Sequence, residues 1–442
     1  MSDSWLMMSM GDLGRGIARG EIDPVDLTRT YLDAIAAHPL RDRIYARVTE
    51  DRAMSEARAA SARAKAGQRL GLLDGVPISW KDLFDTAGIE TEAGSALLKD
   101  RVPSEDAEVL KAATAQGLVC LGKTHMSELA FSGLGLNPVT ASPPCVNDLD
   151  AVSGGSSSGA ATSVAFNLAS CGIGSDTGGS VRIPAAWNDL VGLKTTSGRV
   201  SLKGVVPLVA SFDTVGPLCR SVEDAALMLA AIEGEKAPDL RGATLTGRRL
   251  LVLENGLDEA RDQPRAGFDS AVERLRNAGA LVKSARLDIV DEALSLSAIL
   301  FTTEAYATWR DRIEAQPDLM FGEIRDRFRA GGQFSGTDFV AAWQRLEQIR
   351  AEYHDLTAGY DAVILPTSPI LPPNMARLGS DHDYYVTENL LALRNTRVGN
   401  LMGSAGLSLP TGLPSCAIMF LTPPNSEEFL LRLGAAAEAA LA

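Results

Sequence analysis

The sequence predicts an α/β fold whose mostly parallel sheet is covered by helices on both faces. Two observations predict it. Between 70 and 222, short apolar runs alternate with helical stretches and Gly/Ser-rich turns, the pattern of strands joined by crossover helices. Neither an internal repeat nor a long linker interrupts the 442 residues, so one domain is expected over 1–442.

The elements follow in order. Asp23 is placed to cap a helix that begins at Pro24, with Leu27, Tyr31, Ala34 and Ile35 on one apolar stripe. A second helix is expected over about 49–66, closed by Gly67. Val76–Trp80, Leu118–Leu121 and Leu190–Leu193 read as buried strands, as do Arg249–Leu253 and Ala362–Leu365 farther on. The 290–358 region is helical and carries Phe301, Tyr306, Trp309, Phe321, Phe328 and Trp343, read mainly as core. A last helix begins near Ser426.

Charge and cysteine usage remove several function classes. A net charge of −14 is opposite to what binding nucleic-acid phosphates or an anionic membrane requires. Cys120, Cys145, Cys171, Cys219 and Cys416 are odd in number and contain no C-x-x-C pair, so neither a disulfide framework nor a zinc site is expected. No apolar stretch reaches the ~18 residues of a membrane helix, and no basic n-region precedes an apolar run at the start. The expected compartment is the cytoplasm.

Three short segments carry candidate chemistry. In Gly75-Val76-Pro77-Ile78-Ser79-Trp80-Lys81, Lys81 directly follows an apolar run. Desolvation there favours the neutral amine, which is what a lysine base needs. Ser153-Gly154-Gly155-Ser156-Ser157-Ser158-Gly159 opens a helical run and, taken alone, is a turn with a serine cap. In Asp176-Thr177-Gly178-Gly179-Ser180-Val181-Arg182, two glycines before a serine let backbone N–H groups converge on one point, as an oxyanion hole requires. An ordinary strand-to-helix turn has the same composition.

Two pattern matches are rejected. Gly117 to Thr124 satisfies the P-loop expression, but the residues that should wrap phosphate are themselves an apolar strand. Gly155-Ser156-Ser157-Ser158-Gly159 satisfies the nucleophile-elbow expression around Ser157, yet it lacks the hydrophobic strand that must precede it. An esterase built on Ser157 would also need His354 or His382 as its base.

Together the segments resemble the amidase signature family. The resemblance rests on "WKDLFDTAG" around Lys81, "SGGSSSGAA" around Ser156 and "GSDTGGSVRIPA" around Ser180, with "GKTHMSELAFSGLGLNP" and "FDTVGPLCRSVEDA" between and after them. It covers 70–222 closely, and the two serines stand 24 residues apart. It implies a single α/β/α domain around a large twisted mixed sheet, with specificity in the variable 290–358 region. It implies an amidase that cleaves a carboxylic amide through an acyl-enzyme on Ser180, with Ser156 as relay and Lys81 as base. Backbone N–H groups of Thr177, Gly178, Gly179 and Ser180 would form the oxyanion hole. Asp176 and Arg182 would support that loop, and the 130–133 segment, with Ala130 and Ser132, would contact substrate. Neither cofactor nor metal is implied. The expected partner is a small amide, with a homodimer left open. Trp80 and the stretch "IPAAWNDLVGLKTT" depart from the commoner family versions. The alternatives are the Ser157 esterase and a glutaminase-type component of an amidotransferase, whose versions carry glutamine where this chain has Ile183.

Overall fold

The apolar runs fold as strands, and eleven of them hydrogen-bond into one sheet in the computed structural model, which describes residues 2–442. The strands are β1 Tyr45–Val48, β2 Pro77–Lys81, β3 Val119–Thr124, β4 Pro144–Cys145, β5 Asp148–Val152, β6 Gly172–Ser175, β7 Val191–Lys194, β8 Val215–Cys219, β9 Arg249–Leu253, β10 Leu281–Ala285, β11 Ala362–Pro366, β12 Ala405–Pro410 and β13 Ala417–Thr422. The large sheet runs β1-β3-β2-β6-β8-β7-β12-β13-β11-β9-β10, while β4 and β5 pair separately.

The sheet is mixed, which corrects the mostly parallel reading of the strand–helix alternation. β2 is parallel to β3 and β6, and β9 is parallel to β10 and β11. Every other pairing in it is antiparallel. The alternation signal registers only strands separated by helices. It misses β8, which returns between β6 and β7, and the β12–β13 hairpin turned through Gly412 at φ 85°.

Successive strand residues face opposite sides of a sheet. All residues of β2, β3, β6, β7, β8, β11 and β13 are buried, so both faces are covered and the α/β/α layering follows. The edges differ: β10 is largely exposed, with Leu281 at 58%. The covering helices form where their local signals predict. Asp23 accepts from the Val25 N–H at 2.8 Å and Pro24 opens the helix Pro24–Ala37, which buries Leu27, Tyr31 and Ile35. Ser221 caps Val222–Glu233, and Gly234 closes it at φ 72°. The C-terminal helix Glu427–Leu441 lies on β12 and β13. All five cysteines are buried and free. No helix among the described residues is long and apolar enough to cross a membrane.

The β12–β13 hairpin joins the two parallel parts of the sheet, and Phe420 is fully buried within it. Phe420→Ala should therefore destabilise the protein by about 3–5 kcal/mol. The measurement is the urea midpoint at unchanged slope; a loss below about 1 kcal/mol would show that the neighbours close the cavity.

Candidate active site

Parallel neighbours end at the same edge of a sheet, and the carboxyl ends of strands are where open α/β sheets place their ligands. Lys81 is the last residue of β2 and Ser175 the last of β6, its parallel neighbour. That adjacency brings the Lys81 Nζ to 2.7 Å from Ser156 Oγ and 2.8 Å from Ser175 Oγ. Ser156 lies in the loop between β5 and the helix Ser158–Ala165. Its carbonyl accepts from the Ser127 N–H at 3.1 Å, and the neighbouring Ser157 N–H donates to the Ser180 carbonyl at 3.2 Å. Lys81 and Ser156 are fully buried, and Ser180 is 4% exposed. Burial drives the Lys81 pKa down to about 7, against the opposing pull of Asp213 and Asp176.

The turn from 176 to 181 is built around one carboxylate. Asp176 accepts from the backbone N–H groups of Gly179 at 2.9 Å and Val181 at 3.2 Å. It also accepts from Arg182 Nε and Nη2, both at 2.9 Å, and from Asn400 Nδ2 at 3.0 Å. Burial alone would raise this carboxyl, but Arg182 holds it well below the ordinary carboxylate range. Arg182 is itself fully buried, and donates further to the Thr396 carbonyl at 2.8 Å and to Asn400 Oδ1 at 2.6 Å. Gly179 sits at φ 138°, and a Cβ there would collide with Thr396 Oγ1. Only glycine fits that position.

Of the four N–H groups expected to converge, one is engaged by the carboxylate. The Gly179 N–H is taken by Asp176, whereas those of Thr177, Gly178 and Ser180 have no acceptor among the described residues. Thr177 Oγ1 donates to Asp213 Oδ1 at 2.5 Å, and Thr396 Oγ1 donates to the Gly178 carbonyl at 2.7 Å.

Ala130, Ser132, Thr177, Gly178 and Ser180 line one small cavity of about 20 Å³. Leu129 and Ala130 occupy the left-handed region at φ 45° and 62°, costly for non-glycine residues and typical of segments held for function. Ser132 Oγ donates to Asn389 Oδ1 at 3.2 Å and accepts from the Tyr385 hydroxyl at 3.2 Å. A larger cavity of about 470 Å³ adjoins the small one; Phe301, Arg327 and Arg397 line both.

The structure thus brings Lys81 and Ser156 into contact, and places Ser180 with Ala130, Ser132, Thr177 and Gly178 around one cavity. Asp176 and Arg182 form the buried pair beneath. Sequence reasoning missed Ser175, Asp213, Arg327 and the helix His382–Leu401. Asn389, Leu393, Thr396 and Asn400 recur on that helix at helical spacing and all face the site. That spacing is the available signal, but the polarity of three of the four reads as a solvent face.

The Ser157 alternative does not assemble. Ser157 Oγ donates to the Ser175 carbonyl at 3.2 Å. His382 pairs with Glu323 at 2.7 Å, and His354 lines a different cavity beside Lys194 and Arg350. The strand before it, β5, belongs to the separate two-stranded ribbon. Among the described residues no three His, Cys, Asp or Glu side chains cluster to hold a metal ion.

Residues 26–431 match the family model described as Amidase. This chain belongs to the amidase family. It is 34% identical to the 2-amino-5-chloromuconic acid deaminase of Comamonas testosteroni over 98% of this chain and 96% of that one. It is 31% identical to one component of the glutamyl-tRNA(Gln) amidotransferase of Clostridium acetobutylicum, over 98% and 99%. The native peptide amidase of Stenotrophomonas maltophilia superposes with a TM-score of 0.83 at 27% identity, covering 98% of this chain and 96% of that one. Its amidase kinship thus spans hydrolases and amidotransferase components alike.

Removing one partner of a fully buried ion pair strands the other charge. Asp176→Asn should cost about 3–5 kcal/mol at neutral pH, read from urea midpoints. The Asp176 carboxyl titrates lower folded than unfolded. Its stabilisation is present in full above the ordinary carboxylate range and is lost as the pH falls below it. The variant should lack that acid-side loss, and parallel pH profiles for the two proteins would contradict the pairing.

Proposed function

We propose that this chain hydrolyses a linear carboxylic amide at its C–N bond through an acyl-enzyme on Ser180. The observation that carries the reading is the buried Lys81 amine, 2.7 Å from Ser156 Oγ and drawn to a pKa of about 7. At that pKa a substantial fraction is neutral at physiological pH, so Lys81 can accept a proton where a solvated lysine could not.

The sequence of events follows from those groups. Ser180 Oγ attacks the amide carbonyl carbon. Its proton passes to Ser156 Oγ as the Ser156 proton passes to Lys81 Nζ. The carbonyl oxygen becomes an oxyanion facing the free N–H groups of Thr177, Gly178 and Ser180, which need no reorganisation to receive it. Collapse breaks the C–N bond while the proton returns from Lys81 through Ser156 to the leaving nitrogen. Water then attacks the acyl carbonyl, its proton travels the same relay to Lys81, and the acid departs as the Ser180 hydroxyl is restored. Ser175, as a second partner of Lys81 Nζ at 2.8 Å, holds the amine in line.

Two measurements test this. A fluorophosphonate should label Ser180, and an adduct on Ser157 would support the esterase instead. With a panel of aliphatic, aryl and amino-acid amides, the chain alone should release ammonia or amine; release only with an added partner protein would indicate a component of an amidotransferase.

The pH dependence tests the base. kcat/KM should rise through a limb near pH 7 as Lys81 loses its proton. Lys81→Ala should abolish that limb and cost about 10³-fold or more, the scale of losing a general base with its nucleophile. Lys194 is also buried and also driven down to about 7, but its Nζ donates to the carbonyls of Thr195 and Ser404. Lys194→Met should keep the limb. A limb that survives in Lys81→Ala would show that another group is the base, as would loss from His354→Ala or His382→Ala.

A further inference from the structure

Two arginines at the mouth of the site have nothing to neutralise them. Elsewhere in the fold, half-buried guanidinium groups meet carboxylates, as Arg63 meets Asp74 and Arg52 meets Asp106, or are held by backbone carbonyls, as Arg69 and Arg220 are. Arg327, on the helix Gly322–Arg329, lies with its guanidinium carbon 4.5 Å over the Phe131 ring, and its buried Nη1 has no hydrogen-bond partner. Arg397, on the helix His382–Leu401, makes no hydrogen bond or ion pair among the described residues. Burial drives the pKa of Arg397 down to about 9, and Arg327 adds to that shift by repulsion; burial takes Arg327 to about 10. Both remain charged at neutral pH, so two cations share one cavity with Phe131, Phe301 and Leu393.

Arg397 is placed beside the 176–181 turn. A Cβ on Gly178 would lie 3.8 Å from Arg397 Cγ, and the adjacent Thr396 hydroxyl donates to the Gly178 carbonyl at 2.7 Å. Arg327 and Arg397 line both the small cavity at Ser180 and the larger one outside it. An uncompensated charge held partly out of water is costly, and two together more so. Such an arrangement is retained where a ligand supplies the missing charge.

We propose that Arg327 and Arg397 form a carboxylate clamp, so that the amide substrate carries a free carboxylate a few bonds from the scissile carbonyl. The guanidinium fork matches a planar carboxylate in two parallel hydrogen bonds. The outer cavity also bears Glu323, paired with His382, and Asp326, paired with Arg325. The positive field is therefore confined to the two guanidinium groups, which suits a compact monoanion better than a phosphate dianion. The clamp rests on the amidase reading for its role in turnover, but not for its binding of the anion.

The test uses the whole chain and two readouts. The first is hydrolysis of monoamides of succinic and glutaric acid, each compared with its neutral methyl ester. The wild type should prefer the acid forms by about 100-fold in kcat/KM, and Arg397→Met or Arg327→Met should each cut that preference by about 10-fold or more. Arg397→Lys should restore part of it. Equal activity on acid and neutral amides, or equal losses on both in the variants, overturns the clamp. The second readout is calorimetric binding of succinate, glutarate and inorganic phosphate. Dicarboxylate binding that both arginine variants weaken supports the clamp even if no amide is turned over and Ser180 resists labelling, the combination that would sink the amidase reading alone. Failure of either dicarboxylate to bind, or tighter binding of phosphate, overturns the clamp.

Discussion

The site depends first on one buried ion pair. Asp176 and Arg182 are both withdrawn from water, and each offsets the desolvation cost of the other only because the surrounding hydrogen bonds use their remaining lone pairs and protons. The backbone amides of Gly179 and Val181 are drawn inward by the carboxylate, which turns the chain so that Ser180 faces the cavity. The guanidinium group reaches on to Thr396 and Asn400. The turn is thereby tied to a helix more than two hundred residues away in sequence.

A second constraint is the competition around Lys81. Two carboxylates, Asp213 and Asp176, favour its charged form, and complete burial opposes them. Burial wins because both carboxylates are already satisfied. Asp176 is neutralised by Arg182, and Asp213 accepts from Thr177 Oγ1 and from the Leu208 and Val209 amides. A carboxylate left free beside Nζ would hold the proton on the amine and remove the neutral lysine in contact with Ser156. The ion pair beneath the turn and the amine beside it are parts of one electrostatic arrangement.

Much of this is legible in the amino-acid sequence, for physical reasons. Lys81 ends an apolar run, so its burial can be inferred. The Asp23–Pro24 cap and the Arg249–Leu253 strand are set by local chemistry and fold as read. The mixed character of the sheet is not legible from alternation, because β8 and the β12–β13 hairpin pair at long range without intervening helices that announce them. Ser175 is invisible because its importance comes from lying beside β2, a neighbourhood that exists only after pairing. Arg327 stands in a segment with several other arginines, and nothing local separates the unpaired one from Arg325, which meets Asp326, or Arg329, which meets Glu314.

The helix His382–Leu401 touches every part of the site yet contributes nothing to the Lys81–Ser156 contact. Asn389 holds the 132–133 segment, Leu393 packs on Gly133, Thr396 grips Gly178 and Asn400 meets Asp176. The Lys81–Ser156–Ser175 contacts form at the ends of β2 and β6 and the loop after β5, while the facing side of the site is supplied by a single helix from late in the chain. The cavity-lining positions 390, 393 and 397 and the anchors at 396 and 400 thus share one helix, so side chains that line the cavities can differ while the contacts that hold the turn stay in place.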